Sequence, residues 1–458
     1  MPAQGGPALR LEYDVVGNLS HSGQSAAVSH ESIRPLRIPA LSTVELGLAL
    51  AQALDLAEGK QIGHTYRLTY IAVSIARHLG LPAETIAAVF HASLLHDVGA
   101  AAATADLCRV VGLSEEALTG ALPLKTPEEL GLELSFADVG AVVDALYRHP
   151  RVGAQIASEL ELPDGVAEAI AAHHERWDGL GFPEGLSERE IPPAARILAA
   201  ADLIEALISA EPSGLVARRN LIAGLGPHEG SSLDPEVAAA ARELARTDEF
   251  WLGLFDERLP STLANLCPIP DEKRNRRRAL RFAEVMADLA DAKRGASPRH
   301  ARRTAEWAGK LALAAGYDRA HAEVIELAAL LADIGLLGIP ARILAKPDIL
   351  TVTEMQIMRR HPGYSQMVLE AIPGLEEVAL WVGRHHERPD GKGYPEMLGH
   401  GDIPKEAAII AVADTFVALT SERPYRKALS VEDAKQVLAG AAGTQLDADL
   451  VETFLTLV

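Results

Sequence analysis

Three features of the sequence predict an all-α fold built from two helical bundles in tandem. Hydrophobic residues make up 48% of the 458 residues and aromatic residues only 4%, a mixture that favours packed helices over β-sandwiches. Apolar residues recur at helical spacing in several segments. A group of histidine-containing motifs occurs twice, which indicates an internal duplication. The length is sufficient for two or three domains.

Five segments of the first half show apolar residues at i, i+3, i+4 and i+7. Short stretches with glycine and proline separate these segments, and no alternating strand pattern persists. The predicted helices cover residues 43–57, 66–79, 83–95, 151–161 and 192–207.

The duplication is defined by motifs that return at a constant offset. Three motifs, RHP, HHER and a later Ala-Asp pair, return 212 positions downstream (361 − 149), and two earlier motifs return 236 positions downstream (300 − 64). The difference, 236 − 212 = 24, predicts an insertion in the first copy at about 100–147. The matched pairs are His64 and His300, Asp97 and Asp333, His149 and His361, His173 and His385, His174 and His386, and Asp202 and Asp414.

The repeat predicts how the chain is divided. Residues 1–42 lack clear periodicity and are expected to be irregular. The first copy covers 43–246, a linker covers 247–278, and the second copy covers 279–458. The two copies are expected to pack together as an intramolecular pseudo-dimer, or the whole chain to form a homodimer.

Charge and cysteine content limit the function. The formal charge is −20, from 63 acidic and 43 basic residues, so the surface repels a nucleic-acid backbone. A small anionic substrate remains possible where metal ions supply positive charge. Cys108 and Cys267 form no CxxC pattern, which fits a reducing compartment. With no apolar run of membrane-spanning length and no signal peptide in the first 40 residues, we expect a cytoplasmic protein without a membrane partner.

The first copy contains seven side chains of the types that bind divalent metals. Imidazole and carboxylate groups suit Mn, Fe and Zn, and mixed sets occur at hydrolytic two-metal sites. The adjacent His96 and Asp97 can serve two ions, with Asp97 as the bridge. The candidate ligands are His64, His96, Asp97, His149, His173, His174 and Asp202.

The order of these motifs resembles the HD-GYP branch of the HD-domain phosphohydrolases, over roughly residues 43–245 and 279–458. HHERPDGKGYP at 385–395 and SERPYR at 421–426 are the most specific parts. The resemblance implies two tandem HD-domain bundles with two divalent metal ions, usually Fe or Mn, although such ligand sets also accept Zn, Ni or Co. It also implies hydrolysis of cyclic di-GMP or a related cyclic dinucleotide.

The resemblance further assigns the ligands of each ion. One ion would be held by His64, His96, Asp97 and Asp202, and the other by Asp97 with His149, His173 and His174. The pair would activate a hydroxide that attacks phosphorus, so His96 and Asp97 are the expected catalytic residues. Candidate contacts to the nucleotide are Arg67, Arg303, Tyr394, Arg423 and Arg426.

Each copy departs from the family pattern in a different way. In the first copy Ala100 replaces a lysine that contacts phosphate, Lys60 replaces a glutamate that recruits a third metal, and Phe182 replaces the GYP tyrosine. It also lacks the RPYR segment. At most two ions are expected there, and recognition of a cyclic dinucleotide is weakened.

The second copy has lost the HD histidine, which is Ala332, and has Leu336 and Ala296 at the lysine and glutamate positions. Its remaining ligands are His300, Asp333, His361, His385, His386 and Asp414. We therefore expect a degenerate second site that no longer catalyses hydrolysis.

Three functions are compatible with this pattern. The leading hypothesis is a metal-dependent cyclic-dinucleotide phosphodiesterase that acts through the first copy. The alternatives are a non-catalytic cyclic-dinucleotide receptor that uses the second copy, and a phosphomonoesterase that acts on a smaller nucleotide.

Overall fold

The computed structural model describes residues 37–100, 139–211, 214–269, 276–295, 299–422 and 427–458. Within these ranges the chain forms α-helices and short 3₁₀ helices, and its bridge pairs are isolated ones. The predicted all-α fold of two tandem bundles is confirmed. The first bundle and the helices after it are α1 Thr43–Ala57, α2 His64–His78, α3 Ala83–Leu95, α4 Val139–Glu159, α5 Val166–Ala171, α6 Pro193–Ser209, α7 Gly214–Gly224, α8 Pro235–Ala245, α9 Asp248–Leu254 and α10 Leu259–Ala264. The second bundle comprises α11 Arg276–Arg294, α12 His300–Ala314, α13 Arg319–Leu331, α14 Ala341–Leu344, α15 Val352–Met358, α16 His361–Glu370, α17 Glu376–Gly383, α18 Lys405–Leu419, α19 Val431–Ala441 and α20 Ala448–Leu455.

A buried carboxylate fixes the start of α2. Asp55 accepts hydrogen bonds from the backbone N–H groups of Gly63 at 2.7 Å and Thr65 at 3.1 Å, and from the Thr65 hydroxyl at 2.6 Å. The first N–H groups of a helix have no partner within the helix, so an anion stabilises this end. Asp55 thereby places His64, the first residue of α2, at a defined position.

Helix packing brings the motif residues together. In the first bundle α2 lies against α3 and α6, and α3 also contacts α5. In the second bundle α12 lies against α13 and α18, and α16 lies against α17. Because the motif histidines and aspartates lie on these helices or in the turns that follow them, residues far apart in sequence become neighbours.

The two bundles share one hydrophobic core. Helix α1, whose first turn is closed by a capping box between Ser42 and Glu45, packs on α3 of its own bundle. It also packs on α16 and on a 3₁₀ helix, Ile334–Gly338, of the second bundle. The buried ammonium group of Lys293 donates to the carbonyl oxygens of Ala57, at 2.9 Å, and Leu337. The interior is therefore continuous across the two copies.

Helix boundaries agree closely with the sequence pattern, with two informative differences. Helix α2 begins at His64, two residues before the predicted start, because Asp55 caps it from outside the periodic segment. Helix α4 begins at Val139, so the last residues of the predicted insertion at 100–147 are helical. Residues 101–138 of that insertion, and residues 1–36 of the predicted N-terminal segment, lie outside the described residues.

The predicted linker at 247–278 differs from the structure in its first part. Helices α9 and α10 lie there and pack against α2, with Leu254 and Leu263 in the hydrophobic core. Burying the apolar side chains of these helices in the core stabilises the fold more than leaving them exposed in a solvated linker would. Residues 270–275 lie outside the described residues. Within the described ranges, every helix is too short or too polar to span a membrane.

Candidate metal centre

The His96-Asp97 pair lies in a tight turn directly after α3, and Gly99 holds this turn against α4. A Cβ atom at Gly99 would lie 2.1 Å from the carbonyl oxygen of His149 and 2.6 Å from the backbone nitrogen of Gly153. A side chain therefore cannot be accommodated, and only glycine allows the two backbones to approach so closely. This contact brings Asp97 next to His149 of the RHP motif.

Four of the predicted ligands of the first copy converge beside this turn: Asp97, His149, His173 and His174. Oδ1 of Asp97 lies 3.6 Å from Nε2 of both His149 and His173. The Nε2 atoms of His149 and His174 face each other at 3.1 Å. We call these four residues the first quartet.

The hydrogen bonds around the first quartet leave coordinating atoms directed inward. Nδ1–H of His173 donates to the carbonyl of Ile170 at 2.6 Å, so Nε2 carries the lone pair. Among the described residues, neither this nitrogen nor Oδ1 of Asp97 has a hydrogen-bond partner. Two ligands that are each about 2.1 Å from one ion lie about 3 to 3.5 Å apart, close to the separations seen here. The quartet therefore fits a divalent metal ion.

The protonation states also suit metal binding. Burial lowers the pKa of His174, and its neighbours His173 and His149 lower it further, to well below the usual range. Burial would raise the pKa of Asp97, but His96 and His173 together hold it well below its ordinary value. Neutral imidazole and ionised carboxylate are the forms that coordinate metals.

The ligands predicted for the other ion of the first copy, which include His64 and Asp202, are arranged differently because a lysine lies among them. Nδ1 of His64 pairs with Oε2 of Glu205 at 2.5 Å, and Nε2 of His64 lies 2.9 Å from Nζ of Lys60. Nζ of Lys60 also pairs with Oε2 of Glu58 at 2.7 Å, and its charge interacts with Asp97 and Asp202. An ammonium group thus lies at the imidazole nitrogen that would bind this ion.

His96, another predicted ligand of that set, is paired with the adjacent carboxylate. Nδ1–H of His96 donates to the carbonyl of Ser93 at 3.0 Å, and Nε2 lies 3.3 Å from Oδ2 of Asp97. Burial alone would lower the pKa of His96, but Asp97 outweighs it and raises the pKa to about 9. An ion coordinated by His96 would therefore have to displace a proton as well as compete with Lys60.

The second copy repeats the quartet with Asp333, His361, His385 and His386. Oδ1 of Asp333 lies 3.5 Å from Nε2 of His361 and 3.8 Å from Nε2 of His385. Nδ1–H groups of both histidines donate to backbone carbonyls three residues earlier, at 2.8 and 2.6 Å, so their Nε2 atoms also point inward. We call these residues the second quartet.

A cation also lies beside the second quartet. His300, Asp333 and Asp414 form the remaining ligand group, with Nε2 of His300 2.9 Å from Oδ1 of Asp414. Nη1 of Arg294 binds Oδ2 of Asp333 at 2.8 Å. Burial would raise the pKa of Asp333, but Arg294 is foremost among the groups that lower it, to about 2.

A buried glutamate holds the loop after each His-His pair. Glu175 accepts the backbone N–H groups of Glu184 at 2.7 Å and Leu186 at 3.0 Å. In the second copy Glu387 accepts the equivalent backbone N–H groups, those of Glu396 at 2.6 Å and Leu398 at 2.9 Å. The glutamate of HHE therefore shapes the GYP loop, which in turn carries the ring that packs on the second histidine.

That ring is conserved in shape between the copies but differs in chemistry. The Phe182 ring stacks on His174 with a centroid separation of 4.7 Å, and Tyr394 packs on His386 at 4.9 Å. Phe182 also stacks on Tyr147 at 5.2 Å. The first copy thus keeps the aromatic support of its ligand and lacks only the hydroxyl group.

A cavity of about 630 Å³ opens on the second quartet. Its wall combines apolar side chains such as Leu336 and Ile343 with the charged groups of Arg294, Lys346 and Asp333. Such a volume lies in the usual range for small-molecule sites.

The predicted nucleotide-binding arginines have different surroundings. Arg67 pairs with Glu205, through Nη2 at 2.6 Å and Nε at 3.0 Å. Arg303 instead donates to the hydroxyl groups of Ser421 at 2.9 Å and Thr420 at 3.0 Å. Tyr394 lines the cavity of the second copy. Arg423 and Arg426 lie outside the described residues, so their role stays a prediction.

The sequence pattern does not single out four residues that position or neutralise the ligands: Asp55, Lys60, Glu205 and Arg294. Glu205 could have been found, since it follows Asp202 by three positions and so shares a face of α6. In the sequence Lys60 is recognisable only as the loss of a glutamate, because the direction of its side chain is set by pairing with Glu58, which the sequence does not reveal.

Comparisons with known proteins agree with this architecture. The HD domain family model matches residues 140–237 and 284–450, more than half of the chain. The chain is 27% identical to 3'3'-cGAMP-specific phosphodiesterase 3 of Vibrio cholerae over 430 residues, 88% of this chain and 92% of that protein. It is 37% identical to a cyclic di-GMP phosphodiesterase of Thermotoga maritima over 176 residues, 38% of this chain and 48% of that one.

A solved structure shows the same fold. The crystal structure of a cyclic GMP-AMP phosphodiesterase of Vibrio cholerae, V-cGAP3, superposes with a TM-score of 0.64 at 24% identity, over 90% of this chain and 97% of that one. The family match, the repeated ligand quartets and this fold lead to one conclusion. The chain belongs to the HD-domain family, and its motifs are those of the HD-GYP branch.

Proposed function

We propose that this protein is a metal-dependent phosphodiesterase that hydrolyses a cyclic dinucleotide at the first quartet. The observation that carries the proposal is a pair of buried, inward-directed atoms, Oδ1 of Asp97 and Nε2 of His173, which lie 3.6 Å apart and have no hydrogen-bond partner among the described residues. Leaving such atoms unsatisfied is costly, and a divalent ion satisfies them.

The substrate class follows from the relatives. The relative that spans nearly the whole chain is named for 3'3'-cGAMP, and the Thermotoga relative, matched over a shorter region, is named for cyclic di-GMP. Both are cyclic dinucleotides with two phosphodiester groups. A bound metal offsets the unfavourable effect of the acidic surface on such an anion.

The chain's own residues would prepare the reaction in three ways. Asp97 and the three histidines would hold the ion, which supplies a Lewis acid beside the phosphodiester and lowers the pKa of a water molecule. Ile170 fixes the orientation of the His173 ring through Nδ1–H. Phe182 supports His174 and excludes water from one side of it. A two-metal form of the mechanism would need a second ion where Lys60 lies.

The test compares equivalent histidines of the two quartets. We expect the wild-type chain, purified without oxygen and loaded with Mn²⁺ or Fe²⁺, to convert 3'3'-cGAMP or cyclic di-GMP to a linear product. His173→Ala should lower this rate at least about 100-fold, because it removes a ligand, whereas His385→Ala should retain it within about twofold. Circular dichroism melting would show that both variants fold.

Several outcomes would contradict the proposal. A metal-loaded wild-type chain that hydrolyses neither dinucleotide has another function. Turnover of nucleotide monophosphates alone would identify a phosphomonoesterase. A loss of activity in His385→Ala but not in His173→Ala would assign hydrolysis to the second copy.

The cavity on the second quartet favours a second role, the binding of a nucleotide without hydrolysis. Tyr394 lies in its wall together with Arg294 and Lys346, so the site offers an aromatic face and two cations, which pair with Asp333 and Glu354 and which a nucleotide phosphate would have to share. In the His173→Ala background, calorimetry should detect cyclic-dinucleotide binding that Tyr394→Ala weakens. If Tyr394→Ala has no effect on binding, this receptor role is wrong.

A further inference from the structure

We infer that the ammonium group of Lys60 takes the place of one metal ion, so that the first copy holds a single ion, in the first quartet. The inference rests on the proposed metal site but not on the identity of the substrate. It replaces the pair of ions predicted from the sequence with one ion and one fixed protein cation.

The contacts of Lys60 match those of a bound cation. Nζ lies 2.9 Å from Nε2 of His64, the nitrogen left for coordination because Nδ1 pairs with Glu205. It also lies 2.7 Å from Oε2 of Glu58. The Glu58 side chain is 3% exposed and that of Lys60 11% exposed, so the charges are removed from water and depend on each other.

The local charge balance favours a cation at this position. Glu58, Asp97 and Asp202 are buried carboxyl groups, and the charge of Lys60 interacts with all three. Buried carboxylates are stable only when a cation or several hydrogen bonds compensate their charge. Lys60 supplies this compensation from within the chain. A divalent ion at the same place would have to displace it.

The second copy supplies an independent observation. There the HD aspartate, Asp333, is paired with Arg294 at 2.8 Å. Arg294 corresponds to Glu58 and not to Lys60, since 58 + 236 = 294. Each copy thus has a basic side chain near its HD aspartate, and the two side chains come from different positions of the repeat. Such a result is expected where a protein cation has replaced a metal.

The metal ion and the Lys60 ammonium group would have different roles in the reaction. A metal ion can bind water and lower its pKa, whereas an ammonium group can only neutralise and donate hydrogen bonds. The first quartet would therefore provide the activated water, and Lys60 would neutralise a phosphodiester oxygen or the buried carboxylates.

Metal stoichiometry tests the inference directly. The full-length chain with His385→Ala, which removes a ligand of the second quartet, is loaded with Mn²⁺, desalted and analysed by mass spectrometry for manganese. We expect about one ion per chain, about two after adding Lys60→Ala, and about one after adding Lys60→Arg. Lys310→Ala, which alters an exposed lysine paired with Glu306, is the control and should leave one ion.

Electron paramagnetic resonance provides a second measurement. One isolated Mn²⁺ gives a six-line spectrum, and a pair about 3.5 to 4 Å apart gives an exchange-coupled spectrum. We expect the coupled spectrum only when Lys60 is replaced. If Lys60→Ala does not fold, Lys60→Gln provides the neutral variant with a similar shape.

Two results would overturn the inference. One is two ions or a coupled spectrum while Lys60 is present, and the other is one ion in a folded Lys60→Ala or Lys60→Gln chain. Failure of the proposed function is distinguishable, because a protein with one bound ion and no phosphodiesterase activity would keep the stoichiometry result intact. A chain that binds no ion at the first quartet would contradict both.

Discussion

The contact between Gly99 and α4 makes a prediction that links stability to metal binding. In Gly99→Ala the new Cβ atom would lie 2.1 Å from the carbonyl oxygen of His149 and 2.6 Å from the nitrogen of Gly153. Both neighbours are backbone atoms and cannot rotate away. We expect the variant to separate the turn that carries Asp97 from His149, and so to lose the ion of the first quartet.

The size of the effect follows from these distances. An unstrained carbon–oxygen contact needs about 3.2 Å or more, so the two backbones must move apart by about 1 Å. Overpacking a well-filled interior usually costs about 1 to 3 kcal/mol, and backbone-to-backbone clashes belong at the upper end. We therefore expect Gly99→Ala to lower the free energy of unfolding by about 3 kcal/mol.

Urea denaturation followed by circular dichroism measures the stability, and manganese analysis measures the bound ion. Gly335→Ala is the matched variant of the second copy, since its Cβ would lie 2.0 Å from the carbonyl oxygen of His361. It should cost a similar free energy but spare the first quartet. Gly363→Ala, which meets no atom within 4 Å and lies in α16, should be neutral or stabilise by up to about 1 kcal/mol. A Gly99→Ala chain with wild-type stability and a full first quartet would refute the argument.

Two further predictions concern cations of the second bundle. Lys293→Met should lower the free energy of unfolding by about 2 kcal/mol in urea titrations, because the carbonyl groups of Ala57 and Leu337 lose a charged donor inside the core; an unchanged midpoint would contradict this. Ala332→His combined with Arg294→Ala should raise the manganese content by one ion per chain, because it restores the HD histidine and removes the guanidinium group from Asp333. Either substitution alone should not, and a gain with Ala332→His alone would show that Arg294 does not compete with the metal.

The sequence predicted most of the fold because its signals are local. Apolar periodicity located α1 and α3 at their observed bounds, and glycine and proline marked the turns. The sequence-based prediction was wrong where a residue outside the helix determines the helix boundary. Helix α2 begins at His64 because Asp55 caps it, and a periodicity argument cannot see a cap that lies in the preceding helix. Similarly, the sequence predicts a linker where α9 lies, although Leu254 contributes to the core.

The sequence predicts which residues could bind a metal ion, but not whether a metal ion or a side chain lies beside them. Constant offsets identified the quartet residues, because a repeated spacing of histidines and aspartates is improbable without a shared structure. The competition between a metal ion and a side chain depends on which atoms come within 3 Å of His64. Lys60 is four residues before His64, and nothing in that spacing distinguishes a lysine that faces solvent from one that lies among buried carboxylates.

Because α1 packs between the two bundles, the second copy contributes to the stability of the first whether or not its own site is active. Helix α1 covers apolar surface on both copies, and the interior is continuous across them. Removing the second copy would therefore expose a large apolar face of the first, which favours aggregation. Loss of a single metal ligand, as at Ala332 where the HD histidine is missing, alters a few polar contacts, whereas loss of the copy would remove half of the scaffold. A duplicated domain can thus lose its ligands one by one and still be required for its partner to fold.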